Sequence, residues 1–384
     1  MDMKRVFLVL EKILIIILFS TSIYLPFFVG IFAKDVEVSN AEKRKLSPCP
    51  NLPKSLQSIK DFPGLFEKYY ADHFGLRNYL TKYYNFVKYK VGDSPSEYVT
   101  IGKDGWLFLG SIKQESNAYL DPIGDYRNEN LYSQENLHRF SERMTALKSW
   151  LNKRGIEYLF VIAPNKHTVY HDKLPSYITK VNKFSATDQL VGYLNKHTDV
   201  SVVDLRQELI QAKSKHQLYE KTGTHWNHYG ANIAQYIIML ELEKLFPKQM
   251  QPQMMPLQDG MLTIKALRRM MGVPLLREQF PKPIFEEKTC KPIRDPKGVM
   301  SRKLFTMICE TQKFNAVIFR DSFFTLLQPY FSRKFKRSTY IWQKLNYSTL
   351  KKYTELEKPD VIIEEWVERK LPYTPKEDID LYKI

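Results

Sequence analysis

From Ile13 to Phe32 the chain is apolar almost throughout and carries no charge. A run of that length crosses a bilayer as a helix. Lys4, Arg5 and Lys12 stand ahead of it, which by the positive-inside rule puts the N-terminus in the cytoplasm and the residues after Val36 outside, with Lys34 and the Lys43 to Lys45 cluster weakening the asymmetry. A cleaved signal sequence is the competing reading, against which the run is long and no small-residue cleavage site follows it cleanly. Residues from about Val36 to Gln57 are polar and punctuated by proline, as in a linker. From Asp61 to Tyr89 large apolar residues return at helical spacing (Phe66, Tyr70, Phe74, then Leu80, Tyr84, Val87), and core packing accounts for most of them. Tyr98 to Leu109 alternates like a hairpin around Gly102-Lys103-Asp104-Gly105.

The pattern then settles into a rhythm. Ser133 caps a helix through Leu137, Phe140, Met144, Leu147 and Leu151, Gly155 stops it, and Ile156 to Ala163 reads as a buried strand. A helix from Ser185 to about His197 precedes the strand Val200 to Leu205, and a third helix runs from about Tyr229 to Phe246 with Ile233, Tyr236, Ile237 and Leu240 as its stripe. From Lys248 to Gly298 a Met- and Pro-rich stretch breaks the period, as an irregular or β-rich insertion would. The rhythm resumes with Ala316 to Phe319, a helix after Ser322, Ser338 to Trp342, and Asp360 to Ile363 leading into Glu364 to Lys370. Strands alternating with amphipathic helices predict an α/β fold, a parallel sheet covered on both faces.

Composition adds little to this. The 384 residues are 43% hydrophobic and 26% charged, an ordinary globular balance, so disorder is not expected. A net charge of +16 suits an anionic partner such as an acidic polysaccharide, anionic lipid or nucleic acid, and no basic motif selects among them. Cys49, Cys290 and Cys309 lack metal-ligand spacing; Cys290 and Cys309 could pair in an oxidising compartment.

Two stretches carry candidate chemistry. Thr224-His225-Trp226 sets a histidine at the mouth of a helix, and Asp321-Ser322 sits where a buried strand turns into a helix. That is the position of a nucleophilic serine in hydrolase-type sheets. Ser322 as nucleophile needs a base, for which His225 is the candidate, and an orienting group for that base. The bland alternatives are an N-cap pair at Asp321-Ser322 and a structural histidine at 225. A metal site on His225 and His228 lacks a third ligand, and His167 with His171 reads as a polar loop or a substrate contact. Asn165 and Lys166 follow a strand at the edge where parallel sheets bind ligands, Asn165 as an oxyanion donor and Lys166 as a partner for an acidic sugar, against ordinary loop capping.

Asp72-His73-Phe74-Gly75-Leu76-Arg77, Gly102-Lys103-Asp104-Gly105-Trp106-Leu107-Phe108-Leu109, Ala163-Pro164-Asn165-Lys166 with Tyr170 and Leu174-Pro175, Thr224-His225-Trp226 and Asp321-Ser322-Phe323 together resemble the SGNH-hydrolase-like O-acetyltransferases of exopolysaccharide systems, of the alginate AlgJ and AlgX type. The resemblance covers most of the chain beyond its first forty residues. It implies an SGNH-hydrolase-like domain over 58–384, with an insertion at about 248–300, behind an anchor at 1–35 and a linker at 36–57. It also implies transfer of an acetyl group to hydroxyls of an exported polysaccharide through a Ser322 acyl-enzyme with His225 as base. Asn165, Lys166, Tyr170 and Arg320 would then serve the substrate or the oxyanion. The implied setting is the bacterial inner membrane with the domain outside, an acetyl donor supplied by a membrane-bound O-acyltransferase, no cofactor, no metal and no nucleic acid. One position departs from the family: its Asp two residues before the histidine is Gly223 here. A triad Asp fixes the imidazole tautomer, so Asp321, Asp204 or a backbone carbonyl is left to replace it, or the chain is a weakened glycan-binding relative. An acetyl esterase is the remaining variant.

Overall fold

The structure, a computed structural model, describes residues 3–32, 35–39, 44–113, 119–263, 265–273, 277–285, 290–293, 301, 303–372 and 379–383. The chain divides into two compact units, Met1–Pro95 with Met271–Leu275, and Ser96–Met270 with Leu276–Ile384.

In the first unit the apolar run forms one helix, α1 (Met3–Phe32), of which Phe7–Gly30 is apolar and long enough to span a membrane and is unburied. The polar stretch after it folds into a short antiparallel pair, Val38–Ser39 on Arg44–Lys45. A Ser55/Ser58 capping box starts α2 (Leu56–His73), and Leu76, in the left-handed region at φ 67°, starts α3 (Arg77–Lys90). The expectation that this periodic stretch packs into a core fails: neither α2 nor α3 has a buried residue. Periodicity tells which face of a helix is apolar and is silent on what covers it.

The second unit begins with the expected hairpin, β1 (Val99–Ile101) on β2 (Leu107–Leu109), turning through Asp104 and Gly105 at positive φ. Ser133 caps α4 (Gln134–Asn152), and Gly155 at φ 67° turns the chain into β3 (Glu157–Ala163). A Ser185/Asp188 capping box starts α5 (Ala186–His197), followed by β4 (Ser201–Asp204) and α6 (His228–Leu245). The insertion contains two-stranded pairs, Leu257–Gln258 with Lys282–Pro283 and Leu262–Thr263 with Glu278–Gln279. The sheet then continues with β5 (Cys290–Ile293), β6 (Leu304–Cys309), β7 (Asn315–Phe319) and β8 (Arg337–Ile341), and after α7 (Tyr347–Glu357) with β9 (Val361–Val367).

The seven strands lie in the order β5-β6-β8-β7-β9-β3-β4. From β8 to β4 every pairing is parallel, and β5 and β6 extend one edge antiparallel. A disulfide joins Cys290 and Cys309, which face each other across β5 and β6. Alternate strand residues feed two cores. Leu159, Val161, Ile318 and Ile363 pack with Ala231, Ala234 and Ile238 of α6, while Phe160, Val317 and Ile362 pack with Phe140 and Leu147 of α4 and Leu190 of α5.

Strand β9 runs on through Glu364 and Glu365 to Val367, past the expected end at Ile363, and residues 368–370 form a single 3-10 turn. The two acidic groups are accommodated differently, Glu364 by its partners and Glu365 with burial and then the Asp321 charge pushing its carboxyl well up toward the neutral form. Glu364 accepts from the Tyr158 hydroxyl at 2.7 Å with Arg143 at 3.7 Å, and Glu365 accepts from the Asp321 amide at 3.0 Å.

Candidate active site

Parallel pairing brings the ends of β7, β9, β3 and β4 to one edge of the sheet, so Asp321-Ser322, Glu368-Arg369-Lys370, Asn165-Lys166 and Asp204 emerge there together. After β7 it is Asp321 that caps the turn, its Oδ1 accepting from the Phe323 amide at 2.8 Å. The Ser322 side chain makes no capping bond and instead lies 2.8 Å from His225 Nε2. His225 does not cap α6 either, because the Asn227 side chain accepts from Tyr229 and Gly230 at the helix start. Trp226 Nε1 donates to the Phe323 carbonyl at 3.0 Å, and the Phe323 ring packs against both His225 and Trp226, so the helix mouth and the serine turn are one packed unit.

The other ring nitrogen, His225 Nδ1, faces Thr224 Oγ1 at 2.9 Å. Neither candidate acid takes that position. Asp321 is occupied by the Phe323 amide, by the Val367 amide at 3.3 Å and by Lys370 at 3.1 Å. Burial pushes its carboxyl up, but Lys370, the Phe323 amide and Arg369 more than offset this and hold it below the ordinary range. Asp204 is clasped by Arg206 at 2.7 Å. Burial, followed by the positive charge of Arg369, lowers His225 to about 4, so the imidazole is neutral at physiological pH.

Gly223, where the resemblance implies an Asp, is shaped by Glu220. A Cβ on Gly223 would lie 1.8 Å from Glu220 Oε2, and Glu220 is pinned by Lys265 of the insertion at 2.8 Å. The backbone angle plays no part, since the φ of Gly223 is not positive. The insertion also brings Glu278, whose Oε2 accepts from the Thr222 amide at 3.3 Å.

Asn165 and Lys166, expected to face substrate, turn inward. Asn165 is fully buried; its Nδ2 donates to Asp125 at 2.6 Å and its Oδ1 accepts from Arg369 at 2.8 Å. Lys166 Nζ donates to the carbonyls of Leu107, Glu220, Lys221 and Gly223 at 2.6 to 3.0 Å, and lies over the Trp106 and Phe108 rings. It therefore holds the loop that carries His225 rather than an acidic sugar. Tyr170 stacks on Trp106 and accepts from the Leu218 amide, bracing the same loop. Arg320 donates to the Asp321 carbonyl and lies over Trp342. His228 Nδ1 meets the Tyr330 hydroxyl at 3.2 Å, pointing to different work from His225. His167 is buried with Nε2 on the Leu109 carbonyl, whereas His171 lies at the surface on the Thr168 carbonyl.

Sequence reasoning gave no role to Thr224, Glu220, Arg369 or Lys370. Thr224 stands directly before the candidate base, but a hydroxyl beside a histidine carries no signal until the ring orientation is known. Arg369 and Lys370 become visible only when β9 is placed beside β7.

The family model for the SGNH hydrolase-like domain of the acetyltransferase AlgX matches residues 99–305, more than half of the chain, a stretch that includes His225 and ends before Ser322. The probable alginate O-acetylase AlgJ of Pseudomonas putida is 25% identical over 171 residues, 44% of this chain and 40% of that protein. The chain thus spans about two-fifths of the length of that curated relative. Among solved structures, Bacillus cereus PatB1 is 15% identical, with 70% of this chain and 95% of that one covered at a TM-score of 0.48. The O-acetyltransferase domain of Pseudomonas putida AlgJ is 18% identical, with 73% and 94% covered at 0.44. On the family match, this chain belongs to the SGNH hydrolase-like acetyltransferases of the AlgX and AlgJ type.

Proposed function

We propose that the chain moves an acetyl group onto a hydroxyl of a polysaccharide outside the cytoplasm through a Ser322 acyl-enzyme. The observation that carries this reading is the 2.8 Å contact between Ser322 Oγ and His225 Nε2. With the Nδ1 proton held on Thr224 Oγ1, Nε2 is the acceptor nitrogen and receives the Ser322 proton. Ser322 Oγ attacks the acetyl carbonyl of the donor, His225 Nε2 takes the proton, and collapse of the tetrahedral oxyanion returns that proton to the departing group. An acceptor hydroxyl then attacks acetyl-Ser322 and loses its proton to His225, which passes it to the departing Ser322 Oγ as the acetyl ester leaves. Arg369 and Lys370 act electrostatically on His225, with Lys370 paired to Asp321 at 3.1 Å, and in this reading the oxyanion develops within that positive field.

The relatives' name as O-acetylases of alginate supports a polysaccharide acceptor, and an acetyl donor presented by a membrane-bound O-acyltransferase fits an acceptor outside the cell. The unburied helix Phe7–Gly30 supports single-pass anchoring in the inner membrane. The Cys290–Cys309 disulfide supports placement of the domain on the oxidising side. Protease added to intact spheroplasts should digest the sheet domain; its protection would place it in the cytoplasm and remove the polysaccharide reading. Incubation with p-nitrophenyl acetate, followed by mass spectrometry, should find one acetyl group on the Ser322 peptide, absent in Ser322→Ala.

A second reading rests on the neutral oxygen at Nδ1. An imidazolium gains less from a hydroxyl than from a carboxylate, and a weakened, glycan-binding protein of the same fold would show no acetyl-Ser322 while still retaining polysaccharide on a column.

A further inference from the structure

Helices α2 and α3 carry continuous apolar stripes that the described residues leave largely uncovered, with Phe62 and Phe74 half-buried. On α2 the stripe is Ile59, Phe62, Phe66 and Tyr70, continued by Phe74, with successive aromatic rings from Phe62 onward 5.9 to 6.3 Å apart. On α3 it is Leu80, Tyr84 and Val87, continued by Val91 just past the helix, each 48 to 75% exposed. The spacings of three and four residues put each set on one helix face. Helix α3 has no acidic residue and carries Arg77, Lys82, Lys88 and Lys90, with Lys88 and Lys90 falling on either side of the stripe by the hundred-degree step of a helix.

The position of this surface is fixed by α1. A Cβ on Gly75, in the turn between α2 and α3, would lie 2.3 Å from the Pro26 carbonyl and 2.4 Å from the Gly30 amide nitrogen, so the turn packs backbone to backbone on the last two turns of α1. The residues after α1 are tied to the same corner. Asp35 accepts from the Tyr69 hydroxyl at 2.8 Å, the Ser47 amide donates to Asp72 at 2.8 Å, and His73 Nε2 lies 2.9 Å from the Ser47 carbonyl. The α2–α3 corner therefore sits beside the end of the apolar run of α1. Tyr and Phe stripes flanked by Lys and Arg in that place are the composition of helices that lie in a bilayer interface.

We propose that α2 and α3 lie on the bilayer that α1 crosses, their stripes in the boundary between headgroups and acyl chains and the basic side chains of α3 on anionic phospholipid headgroups. This rests on the reading of α1 as a membrane anchor. The test is labelling of the full-length protein in phosphatidylcholine and phosphatidylglycerol vesicles that contain a phospholipid with a carbene-generating acyl chain. Peptides are then mapped by mass spectrometry. Label is expected on α1 and on the stripes of α2 and α3. Replacing the phosphatidylglycerol with phosphatidylcholine should lower α3 labelling several-fold and leave α1 unchanged. In Val87→Glu, a change at an exposed position that spares the fold, α3 labelling should fall while α1 keeps its label. Labelled α1 with bare α2 and α3, or α3 labelling indifferent to both changes, overturns the proposal and leaves the anchor intact. An unlabelled α1 overturns the anchor reading and the proposal with it.

Discussion

Glu220 Oε2 stands 1.8 Å from where the Cβ of residue 223 would be, so the carboxylate of one residue fills the space that the side chain of the other lacks. Glu220 has little freedom to withdraw, being nearly buried and paired with Lys265 at 2.8 Å. Introducing the Asp that the resemblance implies, by Gly223→Asp, should therefore destabilise the protein by about 3 kcal/mol through disruption of a buried ion pair. It should also lower the rate of Ser322 acylation. Thermal unfolding and a serine-reactive probe measure both. A variant that stays folded and acylates faster would mean that the site is a decayed triad waiting for its acid.

Thr224 Oγ1 lies 2.9 Å from His225 Nδ1, and in the proposed mechanism it accepts the Nδ1 proton and so orients the ring. Thr224→Val keeps the shape and deletes the oxygen, and should lower acylation on the order of 10²-fold, the scale of one acid–base contribution. Thr224→Ser should recover most of the rate. Equal rates in the wild type and Thr224→Val would show that something else fixes the tautomer.

The low-pH limb of acylation should be displaced. A histidine with its ordinary value near 6.5 is half protonated in mildly acidic buffer, whereas burial and Arg369 lower His225 to about 4. The protonated ring cannot accept from Ser322, so the rate should be flat from neutrality down to about pH 5 and fall tenfold per unit below about 4. A midpoint near 6.5 in the pH profile of kcat/KM would contradict this electrostatic account.

Lys166 Nζ joins four carbonyls from two segments, three of them in the loop before His225. Lys166→Met leaves those carbonyls without a donor and should destabilise the protein by about 3 kcal/mol, with loss of probe reactivity at Ser322 as the loop loosens. Denaturant unfolding and probe labelling at equal folded fraction separate the two effects. A stable Lys166→Met variant with altered polysaccharide dependence would return Lys166 to the substrate.

The parts of the fold that could be read from the sequence were those with local causes. Ser133, Ser185 and Gly155 mark helix ends by chemistry confined to one turn, and Ser322 stands at a strand-to-helix turn that needs no distant partner to be recognised. What escaped depends on residues far apart in the chain. Glu364 looks like a strand end until Tyr158 and Arg143 are placed beside it. Lys166 looks like a ligand for an acidic sugar until Leu107 and Gly223 arrive over it. The stripes of α2 and α3 were visible as stripes, but their exposure was not, because periodicity does not distinguish a protein core from a membrane.

The central claim is that Ser322 is acylated with His225 as its base. It is tested most directly by mass spectrometry of the Ser322 peptide after incubation with p-nitrophenyl acetate, run in parallel on Ser322→Ala and His225→Ala. The account predicts one acetyl group on Ser322 in the parent protein, none at that position in Ser322→Ala, and acylation slowed on the order of 10²-fold or more in His225→Ala. A folded parent protein that stays unmodified, or an acetyl group that forms as fast without His225, would contradict it.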